Sequence, residues 1–229
     1  MFILAVIPAF NEEKSIADVV QRTAKHVDCV VVVDDSSRDN TAELALRSNA
    51  TVLRHSKNMG VGATMITGIE YAQKLRPDIV VTLDADGQHK PEEIPRLIGL
   101  VVAGKADCVV GSRFLQGSLA NTSFIKRVGN KFFTFITNLL AGAKLTDTQT
   151  GFRALNKKAL FALDLKCKFT YTHEMIIILS HKRCRIAEVP IHVELRKQGN
   201  SKVTSNIFGY VFKSLAIVFS TYVRQKINK

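Results

Sequence analysis

The sequence predicts an α/β protein built on a mostly parallel sheet flanked by helices. Two observations predict it. Over residues 1–112, short apolar runs rich in β-branched residues alternate with helix-length segments across short connections, the signature of βαβ units. The runs themselves are apolar at successive positions, as in Val30-Val31-Val32-Val33 and Ile79-Val80-Val81, and so suit strands buried on both faces.

Each element has its own warrant. Phe2–Ile7 is the first strand; it lacks the basic flank and cleavage site of a signal peptide and runs straight into Pro8-Ala9-Phe10-Asn11, so it reads as core and not as an export signal. Asn11-Glu12-Glu13-Lys14 opens a helix reaching about His26, its acids favouring the helix N-terminus. Cys29–Val33 is the second strand and ends in Asp34-Asp35-Ser36-Ser37, with a helix from Thr41. Thr51–Arg54 is a short third strand, Val61 to about Lys74 the next helix, and Ile79–Leu83 the fourth strand. Pro91 sits near the first turn of another helix, where proline is favoured. Cys108–Gly111 closes the series, with Ser112 and Arg113 at its edge.

Beyond Arg113 the texture changes. Ile125–Leu140 is a helix with one aromatic side (Phe132, Phe133, Phe135, Ile136, Leu139), while Arg127, Asn130 and Lys131 share another face. Arg185–Val189 and Ile191–Leu195 read as late strands around Pro190, which demotes that point to an edge or bend. Ile207–Val223 is apolar apart from Lys213 and slightly short of the roughly 20 residues that span a bilayer. It suits a core or dimer helix, an interfacial helix lying on lipid, or a span. The expected division is one domain over residues 1–205 followed by an apolar, basic helix over 206–229.

Composition fits a globular chain of 229 residues, 46% hydrophobic and 23% charged, with no repeat or low-complexity stretch. The four cysteines show no C-x-x-C pairing, which points to a reducing compartment without structural zinc. Net charge is +12, and residues 151–229 hold 15 Lys or Arg against 4 Asp or Glu. That asymmetry implies an anionic partner, namely a membrane surface, a phosphate-bearing substrate or nucleic acid, unless it is a solvated basic face. RNA-recognition and zinc-finger signatures are missing, so nucleic acid is set aside.

The most informative chemistry follows the fourth strand, in Asp84-Ala85-Asp86-Gly87-Gln88-His89. Carboxylates two positions apart on extended chain point the same way. They emerge at the carboxyl edge of the sheet, where open α/β folds bind ligands. Two hard oxygen donors there suit magnesium, which takes one or two carboxylates together with phosphate oxygens. The alternative is a solvated turn that caps the next helix.

Several motifs fall in one order: Ile7-Pro8-Ala9-Phe10-Asn11-Glu12, Val33-Asp34-Asp35-Ser36-Ser37, His55-Ser56-Lys57-Asn58-Met59-Gly60-Val61-Gly62-Ala63, the Asp84–His89 segment, Gly111-Ser112-Arg113-Phe114 and Asp147-Thr148-Gln149-Thr150-Gly151-Phe152-Arg153. Together they resemble the glycosyltransferase family 2 domain, of GT-A fold, and most closely the branch that includes dolichyl-phosphate mannose synthase. The likeness covers roughly residues 3–205. It implies inverting transfer of a sugar from a nucleotide-sugar, GDP-mannose or a UDP-sugar, to dolichyl or polyprenyl phosphate. The setting would be the cytoplasmic, inner face of a membrane, with peripheral attachment to its anionic surface. By the same resemblance, Pro8, Ala9, Asn11, Glu12, Asp34 and Asp35 line the nucleotide pocket. Asp84, Asp86 and Gln88 hold Mg2+ or Mn2+ against the diphosphate, Asp86 being central to catalysis. Arg113 and Arg127, then Arg196 and Lys202, hold the acceptor phosphate. Gly199 would hinge a loop near the acceptor, and Glu174 has either a site role or a buried ion pair.

An acceptor phosphate is already a dianion near neutral pH and needs cations instead of a general base. A hydroxyl acceptor on a growing glycan, the rival reading, needs a base, and only His89 and His173 offer themselves. Val61 stands where many relatives carry lysine, so one nucleotide-contacting cation is replaced. A sugar-1-phosphate nucleotidyltransferase would want a glycine-rich loop after strand one, which Pro8-Ala9-Phe10-Asn11 does not supply. A non-catalytic scaffold would have no use for Asp84, Asp86, Arg113 and Arg127.

Overall fold

A computed structural model describes residues 1–115, 124–194 and 207–227. In chain order the elements are β1 (Ile3–Ala9), α1 (Ile16–Thr23), β2 (Cys29–Asp34), α2 (Thr41–Arg47), β3 (Thr51–Arg54), α3 (Val61–Leu75) and β4 (Ile79–Thr82). They continue with α4 (Ile94–Val102), β5 (Cys108–Ser112), α5 (Phe124–Ala141), β6 (Arg153–Asn156), α6 (Lys157–Ala162), α7 (Thr172–His181), β7 (Ile186–Pro190) and α8 (Ile207–Ile227). The expected helix at Pro91 begins as a 3-10 turn, Pro91–Glu93, that runs into α4.

The seven strands order as β3-β2-β1-β4-β6-β5-β7. All neighbours are parallel except β6, which runs antiparallel between β4 and β5. The chain winds outward from β1 through β2 to β3 and then returns to the other side of β1 as β4. The reversal lies between β1 and β4, the place where open α/β sheets take ligands.

The apolar runs are explained by two cores, one on each face. Along β1, Ile3, Ala5, Ile7 and Ala9 pack with α1 and α4 residues such as Val20 and Leu97. Leu4 and Val6 pack on the opposite face with Met65, Ile69 and Met175 from α3 and α7. A period of two on a strand covered on both sides leaves no polar positions. The α3–β1 approach is very close: a Cβ on Gly68 would lie 2.3 Å from Val6 Cγ1.

Three features depart from the sequence reading. β6 was not expected, because Arg153-Ala154-Leu155-Asn156 carries no β-branched residue. Arg153 is nonetheless fully buried, since its guanidinium donates to the carbonyls of Thr148, Thr150 and Thr172, as a buried charge requires. Of the second late strand, Ile191–Leu195, the described part forms only a single bridge, Val193 to His89. Its N–H groups go to separate acceptors, Ile191 to Ser112 and Glu194 to Gln88, so no ladder builds after Pro190. Cys29 and Cys108 adjoin valine runs, which predicts buried thiols; Cys108 is buried, but Cys29, at the start of β2, is only half-buried, and all four cysteines are free thiols.

α8 continues to Ile227 and packs on α7. Ser214, Val218, Thr221 and Gln225 form its buried stripe. Among the described residues, no helix is long and apolar enough to cross a membrane. Glu174 on α7 is buried, accepts the N–H groups of Lys166 and Cys167, and takes Arg224 Nη2 of α8 at 2.6 Å. Its role in this structure is the buried ion pair.

Candidate active site

Parallel strands bring all their carboxyl ends to one edge. The ends of β1, β2, β4 and β5 therefore meet there, at Asn11, Asp35, Asp84 and Arg113. Because β6 runs the other way, its amino end arrives at the same edge and delivers the Asp147–Gly151 loop. Thr82 Oγ1 donates to Gly151 O at 2.6 Å and fixes that loop to β4.

After β1, Asn11 takes a left-handed φ of 52°. Its N–H donates to Ser37 Oγ, and its Oδ1 accepts the Arg38 N–H at 2.8 Å. The Glu12 N–H donates to Thr41 Oγ1. The loops after β1 and β2 are thereby stitched together, with Asn11 and Glu12 partly exposed and Pro8 and Ala9 buried beneath them.

Asp34 and Asp35 are both buried, and their oxygens serve this protein's own backbone. Asp34 accepts Ser37 N–H and the Arg54 guanidinium at 3.1 Å. Asp35 accepts the N–H groups of Met59 and Gly60 and pairs with His55 Nδ1 at 2.7 Å. The far nitrogen of His55 meets Thr67 Oγ1. Both acids thus shape the loops beside the pocket, and Val61 follows as a 44% exposed side chain at the start of α3.

Asp84, Asp86 and Gln88 are all partly exposed, whereas Ala85 and His89 are buried. Gly87 supplies a φ of 74°, and Asp86 Oδ1 accepts the Gln88 N–H at 3.0 Å. Gln88 Nε2 donates to Glu194 O, while Glu194 N–H donates to Gln88 O. The late segment is thereby laced to the acidic turn. His89 stacks on Phe152 at 5.2 Å and accepts the Asp84 N–H on Nδ1 at 3.3 Å. Burial pushes the imidazole of His89 down to about 4, and burial does the same to His173. Both rings are neutral near pH 7.

Arg113 forms a two-pronged pair with Asp147, Nε at 2.6 Å and Nη2 at 3.0 Å. Burial opposes both charges, and the pairing outweighs it: Asp147 is held below the carboxylate range and Arg113 above its usual value. Asp84 lies near enough to add to the Arg113 shift. Among the described residues, Nη1 of Arg113 takes no hydrogen-bond acceptor. Asp147 is oriented in turn, because Glu188 of β7 accepts the N–H groups of Thr146 and Asp147. Arg127 stands half-buried near the start of α5. Arg196 and Lys202 lie outside the described residues.

With this geometry in place, comparison with known proteins decides the family. The profile of glycosyl transferase family 2 matches residues 4–162. The chain belongs to that family. A UDP-N-acetylglucosamine–dolichyl-phosphate N-acetylglucosaminyltransferase of Methanococcus voltae is 35% identical over 230 residues, covering 91% of this chain and 92% of that protein. An undecaprenyl-phosphate mannosyltransferase of Micrococcus luteus is 32% identical over 221 residues, covering 91% and 90%. Among solved structures, glucosyl-3-phosphoglycerate synthase from Mycobacterium tuberculosis, in complex with Mn2+, uridine diphosphate and glucosyl-3-phosphoglycerate, aligns with a TM-score of 0.72. It is 19% identical and covers 98% of this chain and 79% of its own. The glycosyltransferase therefore has the GT-A fold.

Within this glycosyltransferase the acidic turn suits a divalent cation. Among the described residues, no three His, Cys, Asp or Glu side chains cluster as a closed metal cage. Two partly exposed carboxylates beside an amide instead suit a hard ion that completes its shell with phosphate oxygens. Gly151 agrees, because a Cβ there would lie 2.8 Å from Asp84 Oδ1, so that space is kept for the carboxylate. The motifs that hold His55, Asp147 and Glu188 stand out in the sequence, but their partners do not: the Asp147–Arg113 pair, the His55–Asp35 pair and the Glu188 contact to the Asp147 N–H appear only in the fold. Only the acid at 147 ahead of Gly151-Phe152-Arg153 could have signalled the pair with Arg113.

Proposed function

We propose that this glycosyltransferase moves a sugar from a nucleotide-sugar to a polyprenyl phosphate, with inversion, at the cytoplasmic surface of a membrane. The observation that carries the reading is the sheet edge itself. There the partly exposed Asp84, with Asp86 and Gln88 in the same turn, stands within electrostatic reach of Arg113. Anionic donor and anionic acceptor then meet opposite footings, one acidic and one basic.

In this reading Pro8, Ala9, Asn11 and Glu12 form the nucleotide wall, and Asp34 and Asp35 hold its loops in shape. Asp84, Asp86 and Gln88 would hold Mg2+ or Mn2+, which neutralises charge on the leaving nucleoside diphosphate. Arg113, kept in place by Asp147, offers its remaining N–H groups to the acceptor phosphate, and Arg127 adds a second cation. Arg196 and Lys202 complete the acceptor set in this proposal. The acceptor dianion is its own nucleophile. His89 and His173, the histidines a hydroxyl acceptor would call on, are buried, and burial lowers their basicity, which makes them poor general bases and favours the phosphate.

The relatives support the acceptor class, since the Methanococcus voltae and Micrococcus luteus proteins are both named for a polyprenyl phosphate. Their sugars differ, so the donor is left as GDP-mannose or a UDP-sugar. The surface supports the membrane setting. Val128, Phe132, Phe135 and Leu139 of α5 are 51%, 47%, 66% and 68% exposed and fall on one helix face. Phe219, Val223 and Ile227 of α8 are exposed as well. Exposed aromatic faces bordered by Lys131 and Arg127 suit an interfacial helix, and each cation near anionic lipid adds about 1 kcal/mol.

The test is a donor screen. Purified protein is incubated with Mn2+ or Mg2+, a short polyprenyl phosphate and each of GDP-mannose, UDP-glucose and UDP-N-acetylglucosamine, with Asp86→Ala in parallel. A mass-shifted lipid from one donor, lost in Asp86→Ala, is the expected result. Donor binding without any lipid product would overturn the acceptor assignment in favour of a hydroxyl.

A further inference from the structure

Among the described residues, one buried hydroxyl beside the acidic turn makes no hydrogen bond. Tyr171, just ahead of α7, is 2% exposed, and its Oη makes no hydrogen bond. A buried polar group left in that state costs about 1–3 kcal/mol. Such groups mark places where an ion, a water or a ligand completes the arrangement.

Gly151 reveals where this hydroxyl points. A Cβ built on Gly151 would lie 2.6 Å from Tyr171 Oη and 2.8 Å from Asp84 Oδ1. The two oxygens therefore flank one point over the glycine. Gly151 is not among the residues with left-handed backbone. Its missing side chain is accounted for by this close approach and not by a turn. The phenol is also fit to donate. A phenol ionises only at about pH 10, so the proton stays on the oxygen near neutral pH.

We propose that Tyr171 is a positioning residue for Asp84: when a divalent cation and a nucleoside diphosphate are held at the site, its O–H donates to the Asp84 oxygen turned away from the cation. The inference rests on the metal-dependent reading above. Hydrogen bonds to a ligating carboxylate fix its orientation and raise metal affinity, and losing one typically costs 10–100-fold in that affinity.

Tyr171→Phe removes only the oxygen. Two readouts decide the matter: Mn2+ affinity, followed by the spin-resonance signal of free Mn2+ with UDP or GDP present, and thermal stability without metal. The expected result is a metal-free melting temperature equal to or above wild type, together with about a 10-fold weaker Mn2+ affinity. Affinity within twofold of wild type would overturn the inference and leave the metal site standing. A sharp fall in metal-free stability would overturn it too, because the hydroxyl would then be bonded in the resting protein. If wild type and Asp84→Asn alike bind no Mn2+ with either nucleotide, the metal-dependent reading itself falls, and this inference with it.

Discussion

Arg224→Met is the substitution whose cost follows most directly from the structure. It keeps the aliphatic stem of the side chain and removes the guanidinium that reaches Glu174 at 2.6 Å. Glu174 is fully buried, and its remaining donors are the N–H groups of Lys166 and Cys167. Removing one partner of a buried pair strands the other charge, which costs about 3–5 kcal/mol. In a chain of this size each kcal/mol lowers the melting temperature by about 2–4 °C, so a drop of about 6–20 °C is expected. Glu174→Gln should be similarly damaging. The double substitution should be less damaging than the sum of the two by about 0.5–3 kcal/mol, because neither charge is then left alone. Circular-dichroism melts of the four proteins at pH 7 give both numbers, and limited proteolysis reports whether α8 has come away from α7. A loss below about 2 °C in Arg224→Met, or strict additivity in the cycle, would refute the reasoning and make α8 an independent appendage.

Three further outcomes are expected. Gly151→Ala drives a methyl against Asp84 and Tyr171 at 2.8 and 2.6 Å. Sugar transfer should fall at least about 100-fold, as a misplacement near 1 Å can cause, while circular dichroism stays native; unchanged turnover would contradict the packing. Asp107 is nearly fully buried. Burial raises its pKa, but Arg185, Lys158 and Asn156 outweigh this and leave it below the carboxylate range. Its folded value lies under the unfolded value of about 3.9, so its stabilising contribution is complete above about pH 4 and is lost as pH falls through the folded value. Melts from pH 7 to 2 should therefore show a steeper acid decline in wild type than in Asp107→Asn, which itself costs about 1–3 kcal/mol at pH 7. Phe132→Ser with Phe135→Ser, both at exposed positions of α5, should shift stability by no more than about 0.5 kcal/mol each. Flotation with anionic liposomes should weaken about 10-fold; unimpaired flotation would remove α5 from the membrane contact.

What could be read in advance depended on how local the cause was. β1, β2, β4 and β5 were legible because a strand covered on both faces writes itself as an unbroken apolar run, and Val30–Val33 and Ile79–Val81 do so. The acidic turn was legible because Asp84, Asp86 and Gln88 interact through their own spacing. β6 was hidden, since Arg153 is buried by three carbonyls that the fold supplies and by no property of the tetrapeptide. Arg113 and Asp147 are 34 residues apart, and Glu174 and Arg224 are 50 apart. Such pairs belong to the assembled structure and leave no periodicity in either segment. The buried hydrogen-bonding of Asp34 and Asp35 was equally unreadable, because it depends on where Arg54, His55 and the Met59–Gly60 amides arrive.

The antiparallel β6 has one more effect. Adjacent strands stand about 4.8 Å apart, so without it the tips of β4 and β5 would be neighbours, and Asp84 and Arg113 would crowd each other into an ordinary surface ion pair. With β6 between them, the two tips are about 10 Å apart. The strand is a spacer that keeps Asp84 and Arg113 from collapsing together, and the Asp147–Gly151 loop it delivers sits between them, bonded to Thr82 on one side and Arg113 on the other. The spacing is set by backbone hydrogen-bonding and not by any side chain, so drift in the surrounding sequence would leave it untouched.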